Sequence, residues 1–105
     1  MSSSKYSVRL LAIAEQDLQE IVFYVASENV TAALSLADRI EKDLLRLASH
    51  PYLGRIPEDD KLAGLGYRFL VVENYLIFYT VGEKTILVHR IIHGARDIPQ
   101  MFTDS

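Results

Sequence analysis

The hydrophobic period of this chain changes once, near residue 50, and that change decides what it can fold into. Before it, two stretches repeat apolar residues at the three-and-four spacing of a helix face. Ala14, Leu18, Ile21, Val22 and Val25 form the first stripe, with Glu15 and Asp17 near its start, where acidic groups suit the positive end of a helix dipole. Ala33, Leu36, Ala37, Ile40, Leu44 and Leu47 form the second, with Asp38, Arg39, Glu41, Lys42 and Arg46 mostly opposite. Asn29 or Thr31 can cap the second helix, and His50-Pro51 closes it. Two amphipathic helices with a tight joint predict an antiparallel helical hairpin. Ahead of them, Tyr6-Ser7-Val8-Arg9-Leu10-Leu11 alternates as a short strand does.

After the change, Pro51, Gly54, Pro57, Gly64 and Gly66 punctuate a loop that carries Glu58-Asp59-Asp60. Three strand-like runs follow: Tyr67 to Val72, Tyr75 to Val81 and Thr85 to His93. Glu73-Asn74 reads as a two-residue hairpin turn, with Asn tolerating positive φ, and Gly82-Glu83-Lys84 joins the next pair. Asp97-Ile98-Pro99-Gln100-Met101-Phe102 suits a last helical turn, capped by Asp97 with Pro99 in its first turn. The predicted order is βααβββ: an α+β domain whose helical hairpin packs on one face of an antiparallel sheet. At 105 residues, the chain has the length of a single domain, 1–105.

Composition narrows the chemistry. The chain has no cysteine, which excludes disulfides, thiolate catalysis and thiolate metal sites. No apolar run approaches the ~20 residues needed to span a bilayer, and Met1 to Tyr6 lacks the apolar core of a secretory signal, so a cytoplasmic protein with no membrane partner is expected. The net charge of −3 disfavours nucleic acid as the main partner, because phosphate binding ordinarily needs a basic surplus.

No cofactor or metal site is expected. The run Glu58-Asp59-Asp60 has no second carboxylate cluster to complete a cation shell and reads as a solvated loop. His89 and His93, four residues apart on a strand, would hold their rings ~13 Å apart, too far to share one ion. What remains is a polar set on and just past the sheet: Arg68, Arg90, His93, Arg96 and Asp97. One reading is structural: Arg90 pairs with Asp97, His93 caps the sheet end, and Arg68 is a solvated strand residue. The other is a functional face on the open side of the sheet. The aromatic residues Tyr67, Tyr75, Phe78 and Tyr79 read as core or cross-strand pairs rather than base-stacking platforms.

Three stretches together resemble the RelE/ParE toxins of type II toxin–antitoxin systems, also met as plasmid stabilisation proteins. They are Ala14-Glu15-Gln16-Asp17-Leu18 leading to Ile21 and Tyr24, then His50-Pro51-Tyr52-Leu53-Gly54-Arg55. The third runs from Gly66-Tyr67-Arg68-Phe69 through Ile77-Phe78-Tyr79 to Val88-His89-Arg90-Ile91-Ile92-His93-Gly94-Ala95-Arg96-Asp97. The resemblance implies the fold read above, a cognate antitoxin as partner, and room for a homodimer.

It also implies one of two modes of action. Members like RelE cut mRNA on the ribosome without metal, using clustered Lys and Arg and a terminal Tyr or His; here that role would fall to Arg68, His93 and Arg96. Leu70 and Leu76 stand where further basic residues are expected, and Phe102, which cannot exchange a proton, stands for the terminal Tyr. Members like ParE are not enzymes but bind and inhibit DNA gyrase. The chain is closer to that branch, which assigns target binding to Arg90, Arg96, Asp97, Met101 and Phe102. Core packing is the competing role for Ile98, Met101 and Phe102.

Overall fold

The computed structural model describes residues 5–94. They form strand β1 (Ser7–Leu10), helices α1 (Ala12–Ala26) and α2 (Val30–Ser49), a short helix α3 (Asp60–Gly64), and strands β2 (Arg68–Val72), β3 (Tyr75–Val81) and β4 (Thr85–His93). The expected terminal turn from Asp97 to Phe102 lies outside the described residues.

Local chemistry explains the boundaries. The Asn29 side chain accepts a hydrogen bond from the Ala32 amide at 3.0 Å, so Asn29 rather than Thr31 caps α2. Pro51 has no amide hydrogen with which to extend the helix beyond His50. Helix α3 was not anticipated, and the acidic run explains it: the Asp59 carboxylate accepts from the Leu62 amide at 2.9 Å and caps a turn. The hairpin between β2 and β3 falls where expected, but the positive φ belongs to Glu73, at 55°, not to Asn74. The Asn74 carbonyl accepts from the Gly94 amide at 2.9 Å, which ties Asn74 to the end of β4 and leaves Glu73 to make the turn.

The four strands lie in the order β1-β4-β3-β2. Strands β2, β3 and β4 form the expected antiparallel meander, but β1 runs parallel to β4, with Ser7 opposite Thr85 and Leu10 opposite Val88. The α+β architecture is as read, and its sheet is mixed rather than wholly antiparallel. Hydrophobic period says which face of a strand is buried. It does not say along which edge, or in which direction, a strand separated by two helices will pair.

The core lies between the helical hairpin and one sheet face. Ala14, Leu36, Ile40 and Leu47 from the helices meet Leu70, Val72, Ile77, Tyr79, Ile86, Val88 and Ile91. Val88 and Ile91 are both buried there although three residues apart on one strand, which strict alternation forbids. The ladder explains it: Phe78 pairs with Arg90 but Tyr79 pairs with Val88, so His89 is an extra residue in a β-bulge. No helix among the described residues is long and apolar enough to cross a membrane.

Candidate functional site

Strand β1 stops pairing with β4 at Leu10 and Val88, and the Leu11 amide adds one bond to the Val88 carbonyl at 3.0 Å. Beyond that point the chain turns into α1, and the outer edge of β4 would be left bare. Asp17 fills the gap. Its carboxylate accepts from Arg90 Nε at 2.8 Å, Arg90 Nη2 at 3.1 Å and the Ile91 amide at 3.0 Å. The two-pronged guanidinium contact suits a planar fork meeting a planar carboxylate. The Asp17 side chain is 13% exposed and that of Arg90 40%, so the acid is sheltered and the base faces outward. Asp17 therefore serves β4 rather than the start of its own helix.

The bulge places His89 beside this pair in sequence. Its Nε2 is 2.9 Å from the Thr80 hydroxyl and its Nδ1 is 3.4 Å from the Tyr67 hydroxyl, with the Tyr67 ring edge-on to the imidazole. Burial pushes the His89 pKa below its ordinary value, favouring the neutral ring. His93, at the end of β4, sets its ring edge-on against Tyr75, its ladder partner, at 5.5 Å between centroids.

Arg68 lies elsewhere and is not a solvated strand residue. Its Nη1 donates to the Gly54 carbonyl at 3.0 Å and the Tyr52 carbonyl at 3.3 Å, and the guanidinium stands 5.0 Å from the centre of the Tyr52 ring. The buried Tyr79 hydroxyl joins the same loop, donating to the Pro51 carbonyl at 2.9 Å and accepting from the Gly54 amide at 2.8 Å. The Arg55 amide and carbonyl pair with Phe69, adding one rung to the outer edge of β2. Burial raises the Tyr79 phenol pKa, opposed by the Gly54 amide and the Arg68 charge.

Of the residues singled out from the sequence, the structure thus brings Arg90 and His93 to the end of β4 and commits Arg68 to a loop anchor. Arg96, Asp97, Met101 and Phe102 lie outside the described residues. The expected Arg90–Asp97 pair lies there too, and the described partner of Arg90 is Asp17. Among the described residues no group of His, Asp and Glu gathers to hold a metal ion. Sequence reasoning missed the role of Asp17, although a signal was present. Asp17 lies three residues after Ala14 and four before Ile21, on the apolar stripe, where a carboxylate needs a partner.

A solved structure described as the chromosomal ParDE TA system from P. aeruginosa has a TM-score of 0.68 and 25% identity, over 87% of this chain and 98% of that one. The toxin–antitoxin complex RelBE2 from Mycobacterium tuberculosis has a TM-score of 0.60 at 19% identity, over 88% of this chain and 94% of that one, a likeness of fold alone. No curated protein sequence matches the chain. Residues 8–98 match the family described as ParE toxin of type II toxin-antitoxin system, parDE. That match takes in all of β1 but Ser7, the helical hairpin and every strand of the meander, and the chain belongs to the ParE toxin family.

Proposed function

We propose that the chain arrests growth by binding a protein, DNA gyrase, through the end of β4 and the segment after it, and that a cognate antitoxin neutralises it. Arg90, Arg96, Asp97, Met101 and Phe102 carry the contact. The solved relatives described as toxin–antitoxin systems support the antitoxin as partner. The fate of Arg68 favours a protein target over RNA. Its Nη1 is held by two loop carbonyls and its guanidinium stands over a tyrosine ring, which ties Arg68 to the loop after α2 and away from the end of β4. The net charge of −3 points the same way, because phosphate contacts scale with the positive charge available.

The competing function is metal-independent cleavage of ribosome-bound mRNA by Arg68, His93 and Arg96. Purified ribosomes programmed with a short mRNA discriminate the two. The protein target predicts no cleavage above a control without the toxin. Cleavage that disappears on His93→Ala or Arg96→Ala would replace gyrase binding with ribonuclease action.

A further inference from the structure

The three hydrogen bonds on Asp17 join a helix residue to a strand 73 and 74 positions later. They do two separable things. The bond from the Ile91 amide replaces a rung that β1 does not supply, so it holds the backbone of β4. The two bonds from Arg90 restrict the rotamers of a long side chain before any target is met, which lowers the side-chain entropy lost on binding. A guanidinium already held by a sheltered carboxylate meets a target in one orientation, and preorganisation of that kind strengthens binding without adding a contact.

We infer that Asp17 is a positioning residue of the toxin: it presents Arg90 to the target from the end of β4. This rests on the assignment of that strand end as the target-binding surface. It extends the functional surface to α1, where no target contact is needed. A purely structural Asp17 would act through the Ile91 amide and would be indifferent to what stands at position 90.

Asp17→Asn separates the two roles. With its amide oxygen in the Oδ2 place, the asparagine side chain still accepts from the Ile91 amide and Arg90 Nε, while the charge is gone and an NH2 group stands where Arg90 Nη2 had its acceptor. Potency is read as the expression level that halves growth rate, a measure independent of what the target is. Thermal melting of each purified variant accompanies it. Asp17→Asn is expected to melt close to the wild type and to lose about tenfold in potency, the factor that ~1.4 kcal/mol of coupling gives. In an Arg90→Ala background, the same substitution is expected to cause no further loss. Wild-type potency in Asp17→Asn, or an equal loss with and without Arg90, would overturn the positioning role. A wild-type chain that does not arrest growth would instead refute the toxin function, and a toxic chain that spares gyrase would refute only the target.

Discussion

The hydroxyl of Tyr79 bridges the loop after α2, 2.8 Å from the Gly54 amide nitrogen and 2.9 Å from the Pro51 carbonyl oxygen. Tyr79 and Gly54 are both buried, so the Gly54 amide cannot turn to water when that hydroxyl is removed. Leaving a buried donor unpaired costs about 1–3 kcal/mol. Tyr79→Phe is therefore expected to lower the unfolding free energy by that amount, read as a lower urea midpoint with an unchanged denaturant slope. An unchanged midpoint would mean that the loop does not depend on this bridge.

Gly54 is constrained from the same side. A Cβ there would stand 2.6 Å from the Tyr79 hydroxyl oxygen, 2.8 Å from its Cε1 and 2.8 Å from the Phe69 carbonyl oxygen. The carbonyl accepts from the Arg55 amide and the ring is packed in the core, so neither yields easily. Gly54→Ala should destabilise by at least about 1–3 kcal/mol. Combined with Tyr79→Phe, the loss should be less than the sum, because the phenyl ring lacks the nearest clashing atom. Strict additivity in denaturation experiments would contradict the shared contact.

His89 gives the fold a pH dependence of known sign. Burial lowers its folded pKa, so below the unfolded value of about 6.5 the unfolded chain binds more protons than the folded one. Its contribution is fully present above that value and is lost as pH falls from there through the lower folded pKa. His89→Gln keeps a polar side chain and removes the titration. The fall in unfolding free energy from about pH 7.5 to pH 5.5 should then be shallower than in the wild type. An equal fall in both would assign the dependence to other groups.

Glu73 sits at φ 55° and forms an ion pair with Arg39 at 3.0 Å, both side chains largely exposed. The left-handed conformation costs a non-glycine residue about 1–2 kcal/mol, and an exposed ion pair returns about 0.2–1 kcal/mol. Glu73→Gly should therefore stabilise slightly, by under about 1 kcal/mol, once the extra entropy of an unfolded glycine is counted. Thermal melts resolve the sign, and a clear loss of stability would mean that the Arg39 contact is stronger than exposed pairs usually are.

Much of this fold was legible because apolar spacing reports burial directly. The stripe Ala33, Leu36, Ile40 and Leu47 is the buried face of α2, and Ile77 and Tyr79 alternate onto the core as period two requires. What was hidden depends on partners distant in sequence. The parallel pairing of β1 with β4 follows from how the hairpin crosses the sheet, and nothing in Ser7–Leu10 encodes it. The bulge at His89 shows only as a broken alternation, Val88 and Ile91 both inward. At the candidate site, Arg90 stands out in the sequence as a charged strand residue, but its bonds to Asp17 cross the fold to α1, and no local pattern signals them. The anchoring of Arg68 fits neither alternative that the sequence offers for it, because the carbonyls that hold it belong to a loop whose path no periodicity describes.

The most direct test of the proposed function is gyrase-catalysed supercoiling of relaxed plasmid DNA in the presence of the purified chain. Supercoiling should fall with increasing toxin and recover when the cognate antitoxin is added. Arg96→Ala should weaken inhibition by about 2 kcal/mol, the scale of an arginine that anchors an interface. Undiminished supercoiling at toxin concentrations that arrest growth in cells would contradict gyrase as the target.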